Sequence, residues 1–248
     1  MDEEFRSTMD NCADTRTLLI VPALNESANI GRVLVDARRC LPGVDLLVID
    51  DGSCDGTAAV ARSAGAMVLS LPYNLGIGAA VQTGFAFADR HGYDCVLRSD
   101  GDGQHGAWDL RRLLVALQTG DCDVVTGTRF GAHEGDRSVS PGRRVGIVLL
   151  AGLLSLITGQ RISDPTSGQA GFSRRAVRLF AREYPHDYPE PEGLVQAHRA
   201  GLRMRELPVT MRPRRAGRSS IGQLDGVYYM IKVTLAIFIN LLRPPQPH

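Results

Sequence analysis

Short apolar runs alternate with longer segments of helical apolar spacing through the first half of the chain. The runs predict strands at 17–22, 46–49, 65–70, 93–99 and 123–128. The segments between them predict helices at 28–40, 55–64, 76–90 and 108–118. Ser27 is the expected N-cap of the first helix. Because strands and helices alternate with short connections, we predict an α/β fold with a mostly parallel sheet and helices on both faces.

The second half of the chain is less regular. Residues 130–142 are polar and Gly-rich and predict a loop, whereas residues 145–159 form an apolar, uncharged helix. That helix is shorter than the roughly 20 residues needed to cross a bilayer, so we expect a buried or an interfacial helix. The last apolar segment, 221–242, is interrupted by polar residues and predicts a membrane-surface or partner-facing helix, or an ordinary core helix. The other predicted elements are strands at 168–173 and 202–211 and helices at 174–182 and 192–200.

Composition and charge narrow the class of protein. The 248 residues are 44% hydrophobic and carry a formal net charge of +1, which gives no argument for a nucleic-acid partner. The cysteines number 5 and form no C-x-x-C pair, so we expect a reducing, cytoplasmic compartment. Residues 1–16 lack the apolar stretch of a signal peptide. We predict a disordered tail at 1–16, one α/β domain at 17–220, and a C-terminal interfacial helix and tail at 221–248.

Acidic residues stand at the ends of two predicted strands. Asp100 and Asp102 follow the strand at 93–99, and Asp51 follows the strand at 46–49. Carboxyl ends of parallel strands meet at one edge of a sheet, where ligands bind. Two carboxylates two residues apart can converge on a hard cation that also bridges to phosphate. The pattern therefore predicts a Mg²⁺ or Mn²⁺ site beside a nucleotide, the alternative being two solvated acidic turns.

Arginines are concentrated near the C-terminal end of the predicted domain. Between positions 199 and 218 the sequence carries seven arginines and a single acidic residue, Glu206. Such a local excess of positive charge favours an anionic ligand or a membrane face. The alternative is a solvated basic loop.

Several motifs occur in order along the chain: Val21-Pro-Ala-Leu-Asn-Glu26, Asp50-Asp-Gly-Ser53, Asp55-Gly-Thr57, Asn74-Leu-Gly-Ile-Gly78 and Asp100-Gly-Asp-Gly-Gln-His105. Together they resemble the inverting glycosyltransferases of family 2, which have the GT-A fold. The resemblance is greatest to the branch with dolichyl-phosphate mannosyltransferase and bacterial polyprenyl-phosphate or lipid-linked sugar transferases. It implies metal-dependent transfer of a sugar from a UDP, GDP or dTDP sugar to an acceptor.

The resemblance assigns the donor side of the site. It implies a nucleotide pocket made by Pro22, Ala23, Leu24, Glu26, Asp51, Ser53, Gly76, Gly78 and Asp100. Asp102 is the expected principal metal ligand and a catalytic residue, with Asp100 and Gln104 as further metal contacts. Many relatives have a basic residue where this chain has Ile77, so no phosphate-binding side chain is expected there.

The resemblance also assigns the acceptor side. It implies phosphate or acceptor contacts at Arg129, Arg143, Asp164 and Ser219, and a catalytic Arg214 in a loop that closes over the diphosphate. Glu190 and Glu192 are the candidate catalytic bases, although the family's usual Glu-Asp pair is absent. A lipid phosphate acceptor needs no strong base, because its oxygen is already ionised.

Alternatives remain at three levels. The acceptor is expected to be a polyprenyl phosphate or lipid-linked saccharide at the cytoplasmic face of a membrane, or else a soluble or polysaccharide hydroxyl. A non-catalytic nucleotide-sugar-binding protein is the alternative of another class, and a homodimer is left open. A sugar nucleotidyltransferase would need a Gly-rich loop with Arg and Lys after the first strand, and a dinucleotide-binding domain would need G-x-G-x-x-G. This chain has neither.

Overall fold

A seven-stranded sheet organises residues 15–130, 141–211 and 232–239, which the computed structural model describes. Its strands are β1 (Thr17–Ala23), β2 (Asp45–Asp50), β3 (Met67–Ser70), β4 (Cys95–Arg98), β5 (Val124–Thr128), β6 (Ala170–Ser173) and β7 (Met204–Pro208). The strand order is β3-β2-β1-β4-β6-β5-β7. β6 is antiparallel to both of its neighbours, and every other pairing is parallel. The prediction of a mostly parallel sheet is confirmed.

Helices follow the strands in the predicted order. They are α1 (Ile30–Cys40), α2 (Thr57–Ser63), α3 (Ile77–Arg90), α4 (Ala107–Gln118), α5 (Pro141–Thr158), α6 (Arg174–Arg182) and α7 (Pro189–Arg199), and residues 232–239 are also helical. The predicted cap was wrong: α1 begins after Asn29, and the Ser27 N–H donates to the Asp55 carboxylate at 3.2 Å. α7 begins earlier than predicted because proline is tolerated in the first helical turn.

One face of the sheet is covered by an aromatic layer. Phe85 on α3 meets Phe172 on β6 edge to face, with ring centroids 4.9 Å apart, and it also contacts Phe180 and Tyr184. This geometry suits the ring quadrupoles and fills the layer between α3, α6 and the sheet. On the opposite face, α1 and α4 bury aliphatic side chains against the central strands, among them Ile30, Leu34, Leu110 and Leu113. Both faces are covered, as predicted.

A third apolar cluster lies between α5, α7 and the helical residues 232–239. Its buried members include Leu150, Leu154, Val195, Val233 and Ile237. The apolar helix predicted at 145–159 is therefore buried along one side. The prediction for 221–242 is observed only at 232–239, since the rest of that segment lies outside the described residues. Within the described chain, no helix has the length and hydropathy required to cross a membrane.

Chain ends and one loop lie partly or wholly outside the described residues. These are 1–14 of the predicted tail, 131–140 of the predicted loop, and 212–231 and 240–248 near the C-terminus. Arg16, which we placed in the tail, packs on the domain. Its backbone N–H donates to Asp94 at 3.0 Å, and its guanidinium lies 4.7 Å from the centre of the Tyr93 ring.

The direction of β6 brings two distant segments together. Arg98, at the end of β4, pairs with Ala170, at the start of β6. Because these strands are antiparallel, the residues just after β4 lie beside those just before β6. The Asp100–Gln104 segment is therefore placed next to Gly168.

Removal of the Phe85 ring tests the aromatic layer. Phe85 is fully buried, so Phe85→Ala should lower the free energy of unfolding by about 3–5 kcal/mol. Trp108→Ala is the matched control, because Trp108 is 52% exposed and should change that free energy far less. Urea unfolding followed by far-UV circular dichroism measures both. Equal losses would contradict the assigned core.

Candidate active site

Asp51 fastens the end of β2 to two neighbouring loops. It is buried, and its carboxylate accepts hydrogen bonds from the backbone N–H groups of Leu75 at 2.8 Å and Gly76 at 3.0 Å. Its own N–H donates to the Ala23 carbonyl at 2.9 Å. Gly76 has φ of 90°, a conformation that favours glycine. The predicted nucleotide residue Asp51 therefore has a structural task at the strand ends as well.

The turn after β1 is held by the loop after β2. Asn25 donates its backbone N–H to the Ser53 hydroxyl at 2.9 Å, and Glu26 donates its own to the Thr57 hydroxyl at 2.8 Å. The Glu26 carboxylate accepts from the Asn29 side chain at 2.7 Å. Pro22 and Ala23 are buried in β1, whereas Leu24 is exposed at the turn. These predicted pocket residues are brought together at one edge of the sheet.

Asp55 stabilises the same loop. Burial acts to raise the pKa of its carboxyl group, but hydrogen bonds from Thr57 and Ser27 outweigh burial and lower the pKa to about 2. Asp55 therefore stays ionised at neutral pH and keeps the 25–27 turn joined to the first turn of α2.

The second acidic loop packs against the first. Asp102 is half-buried, and one of its carboxylate oxygens accepts from the Gln104 N–H at 3.0 Å. A methyl group at Gly101 would lie 3.3 Å from the Ala23 side chain. Asp51 also bonds to Ala23, so both acidic loops contact this one residue. The predicted metal and nucleotide residues thus belong to adjoining loops.

Asp100 is surrounded by His105, Arg98 and Gly168. Its carboxylate lies 3.3 Å from His105 Nε2 and 3.8 Å from the guanidinium of buried Arg98. A methyl group added at Gly168 would come within 2.1 Å of Asp100 Oδ2, so any side chain there would require the Asp100 carboxylate to move. Gln169, which is fully buried, donates to the Gly106 carbonyl at 3.0 Å and supports the loop from beneath.

Arg129 and Asp164, predicted on the acceptor side, form a buried bidentate pair. Arg129 Nε and Nη2 lie 2.6 and 2.7 Å from the two Asp164 oxygens, and Nη2 also donates to Thr166 at 2.6 Å. Glu206 accepts from the Ser163 and Asp164 backbone N–H groups at 2.9–3.1 Å. This network fixes the segment leading to Gly168.

The two predicted catalytic carboxylates lie in the first turn of α7. Glu190 Oε1 is 2.5 Å from Arg98 Nη2, so this carboxylate is engaged in an ion pair. Glu192 donates its backbone N–H to the Tyr188 carbonyl at 3.1 Å and is half-buried. The structure therefore brings Glu190, Arg98 and Asp100 into one cluster.

Gly78 has a packing role beside the predicted pocket. A methyl group there would lie 2.4 Å from the His186 Cα, so α3 can contact the 185–186 segment only with glycine at this position. That contact accounts for Gly78 without a ligand. By contrast, a methyl group added at Gly76 would meet nothing within 4 Å, and Gly76 has a positive φ.

Other predicted residues are not placed in the site. Arg214 and Ser219 lie outside the described residues, as does the side chain of Arg143, whose backbone begins α5. Within ranges 15–130, 141–211 and 232–239, no three His, Cys, Asp or Glu side chains are grouped as a metal site. The carboxylates of Asp100 and Asp102 are oxygen donors of the kind that Mg²⁺ prefers, and Mg²⁺ commonly draws further ligands from phosphate groups.

Sequence reasoning missed Arg98 and Gly168 as site residues. Arg98 interrupts an otherwise apolar strand, and a charged residue in such a run is rarely buried unless it is paired. That irregularity could have indicated it. Gly168 ends the segment Asp164-Pro-Thr-Ser-Gly168, which resembles the family's Asp-x-x-Ser-Gly segment, but its close contact with Asp100 in the loop after β4 is visible only in the structure.

Comparisons with a family model and with individual proteins indicate the same family. The sequence model described as Glycosyl transferase family 2 matches residues 18–180. A polyprenol monophosphomannose synthase of Mycolicibacterium smegmatis is 31% identical over 88% of this chain and 85% of its own length. An undecaprenyl-phosphate mannosyltransferase of Micrococcus luteus is 30% identical over 84% of this chain and 88% of its own length.

Solved structures share the fold. Glucosyl-3-phosphoglycerate synthase from Mycobacterium tuberculosis, solved with Mn²⁺, UDP and glucosyl-3-phosphoglycerate, has a TM-score of 0.71 to this chain. The two are 24% identical over 95% of this chain and 81% of the synthase. The same synthase was also solved with Mg²⁺ and UDP. At this identity the likeness establishes the GT-A architecture alone.

Gly168→Ala tests the close contact with Asp100. The added methyl group has to displace the Asp100 carboxylate, so if Asp100 binds the cation, Mn²⁺ affinity measured with UDP, GDP or dTDP present should fall about tenfold or more. Gly152→Ala on α5 is the matched control, because a methyl group there meets nothing within 4 Å. Electron paramagnetic resonance of free Mn²⁺ measures binding. If a folded Gly168→Ala protein binds Mn²⁺ with wild-type affinity, Asp100 is not a ligand of the cation.

Proposed function

Because the chain belongs to glycosyl transferase family 2, we propose that it transfers a sugar from a nucleoside-diphosphate sugar to a polyprenyl phosphate, with inversion and with a divalent cation. The chain is a glycosyltransferase; donor, acceptor and cation are the proposal. The observation that carries the proposal is the packing of both acidic loops on Ala23 at the carboxyl edge of the sheet. Ligands of open α/β sheets bind at that edge.

The donor nucleotide is proposed to lie across the turns after β1, β2 and β4. Glu26, Asp51 and Asp100 offer carboxylate acceptors for base N–H and ribose hydroxyl groups there. Asp51 already accepts two backbone hydrogen bonds, and a carboxylate has about four acceptor positions, so it can still meet a ligand. The Ser53 hydroxyl accepts from the Asn25 N–H and so joins the turn that carries Glu26 to the loop after β2 before the donor binds.

Asp102 and Asp100 are proposed to hold Mg²⁺ or Mn²⁺, with Gln104 close by. Both cations suit oxygen ligands, and the M. tuberculosis synthase was solved with each of them. A bound cation would neutralise the negative charge that develops on the departing diphosphate. Arg214 and Ser219 are proposed to close over the same diphosphate, since guanidinium groups bind phosphate in a bidentate manner.

A phosphate acceptor agrees with the contacts of Glu190. An acceptor hydroxyl requires a carboxylate base within reach of its proton, and Glu190 is engaged by Arg98. An ionised phosphate oxygen needs no base and can attack the anomeric carbon directly. Two relatives are named for polyprenol and undecaprenyl-phosphate mannose transfer, which supports this acceptor. Arg143 remains a proposed phosphate contact, whereas we assign Arg129 to holding Asp164.

A lipid acceptor also agrees with the outer side of α5. Large apolar side chains point to solvent along α5 and along the helical residues 232–239: Val145, Val148, Leu149, Leu156, Leu235, Phe238 and Ile239. Leu156 is 82% exposed. An exposed apolar surface of this kind marks a binding face, and Arg144 at its start suits anionic lipid headgroups. We propose peripheral contact of this face with a membrane, on the side where the cytoplasmic donor is found.

Substitution of Asp102 tests the donor and cation proposal. Asp102→Asn should lower sugar transfer by at least about 100-fold, because it removes the principal cation ligand. Transfer from UDP, GDP and dTDP sugars to undecaprenyl phosphate is assayed with Mn²⁺ and with chelator. Asp121→Asn is the control, since Asp121 is exposed ahead of β5 and distant from the carboxyl edge. Transfer that persists in chelator would overturn the role of the cation, and transfer only to saccharide hydroxyls would overturn the lipid phosphate.

Charges placed on the outer side of α5 test membrane contact. Leu149→Glu with Leu156→Glu should reduce co-sedimentation with anionic phospholipid vesicles at least about tenfold, because two exposed leucines lose their insertion energy. Val35→Glu is the control, since Val35 is also an exposed apolar residue but lies on α1. Equal vesicle binding by all three proteins would exclude this face.

A further inference from the structure

Arg98 is a buried cation that the proposed reaction does not use. It is the last residue of β4, it is 2% exposed, and it precedes Asp100 by two positions. Moving a guanidinium out of water costs several kcal/mol unless charged partners compensate. A hydrophobic residue would fill this strand position without that cost, so the partners of Arg98 indicate what the charge does.

Those partners come from two separate segments. Arg98 Nη2 lies 2.5 Å from Glu190 Oε1 in α7 and 3.8 Å from Asp100 Oδ1 in the loop after β4. Nη1 donates to the Tyr184 hydroxyl at 3.2 Å. Burial alone would lower the pKa of Arg98, but attraction to Glu190 outweighs it, and the pKa is raised above its ordinary value. Burial raises the pKa of Tyr184 to about 12, so its hydroxyl remains neutral.

The other sides of Asp100 are also occupied. His105 Nε2 lies 3.3 Å from Oδ2, and Gly168 packs so closely that a side chain there would displace the Asp100 carboxylate. Asp100 therefore has backbone behind it, an imidazole on one side and a guanidinium on the other. Of these three neighbours, Arg98 is the one that also forms an ion pair with another carboxylate, that of Glu190.

We propose that Arg98 is a positioning residue that joins Asp100 to Glu190, so that one guanidinium sets both the cation-binding loop and the first turn of α7. This inference rests on the proposed function, because it takes Asp100 to face the cation. Nη2 lies near both carboxylates, hydrogen-bonded to Glu190 and at an ion-pair distance from Asp100, while Nη1 is fixed by Tyr184. A planar guanidinium is oriented by several contacts at once, whereas lysine offers a single point charge. Glu190 then acts through Arg98, in place of acting as a catalytic base.

The position of Glu190 supports the pairing. It lies in the first turn of α7, where the helix dipole favours a carboxylate, and Pro189 and Pro191 beside it are buried. The Glu190 side chain is therefore held in a fixed orientation relative to Arg98 at the end of β4. The pairing thus links elements 92 positions apart in sequence.

Affinity for Mn²⁺ in the presence of UDP, GDP or dTDP is the decisive readout, because it requires neither acceptor nor turnover. Arg98→Gln should weaken binding about 10- to 100-fold, the usual effect of losing a group that orients a metal ligand. Arg98→Lys should fall between this variant and the wild type. Tyr184→Phe removes one hydrogen bond from Arg98 but leaves both carboxylate contacts of the guanidinium, so it should change binding far less.

Glu190→Gln separates positioning from base catalysis. If Glu190 acts through Arg98, this substitution weakens Mn²⁺ binding, and adding it to Arg98→Gln causes little further loss. If Glu190 is a base, turnover falls while Mn²⁺ affinity stays at the wild-type value, and the proposal is overturned. The double variant carries neither buried charge, so it keeps the fold where a single substitution leaves an unpaired charge.

One control variant and two contradicting outcomes complete the design. Arg203→Gln removes an arginine that pairs with Asp123 at the opposite end of the strands, and it should leave Mn²⁺ affinity unchanged. A folded Arg98→Gln/Glu190→Gln protein with wild-type affinity would refute positioning while leaving the proposed transferase intact. A wild-type protein that binds no Mn²⁺ with any of the three nucleotides would refute the cation, and the positioning role with it.

Discussion

Negative charge gathered at the carboxyl ends of β1, β2 and β4 has to be held in place before any ligand arrives. The structure does this with a different partner for each carboxylate. Asp51 is held by backbone N–H groups, Asp100 by Arg98 and His105, and Asp164 by Arg129. The partners of Asp51 and Asp164 come from other segments of the chain, and Arg98 connects Asp100 to Glu190 in α7, so holding the carboxylates also joins separate segments to one another. The rest of the site depends on this arrangement, because carboxylates without fixed partners would repel and separate.

The fold was largely predictable because the strands of a sheet that is covered on both faces tend to be apolar at successive positions. Apolar runs marked β1 and β2 most clearly, and glycines marked several of the turns, whereas β7 carries Arg205 and Glu206 within its run. The direction of β6 was not predictable: its residues suit either direction, and its pairing is decided by the antiparallel register with β4 and β5. Ser27 also misled, since an oxygen-bearing side chain near a helix start suits a cap and a loop brace equally well.

The site was predictable in its location and less so in its contacts. Strand ends bring Asp51, Asp100 and Asp102 to one edge whatever their side chains do. By contrast, the pairing of Arg98 with Glu190 depends on how α7 lies over the sheet, and local sequence does not contain that information. The sequence thus suggested Glu190 as a candidate base and Arg129 as an acceptor or phosphate contact, whereas in the structure each takes part in an ion pair with a buried partner.

Ala23 lies where two acidic loops meet, with its carbonyl bonded to Asp51 and its methyl group against the Gly101 position. A larger side chain at this position would press on the Gly101 loop, while the backbone of the same residue stays bonded to Asp51. Substitution of one small residue would thus be transmitted to both acidic loops, whereas the neighbouring Leu24 and Asn25 are exposed and leave more room for change.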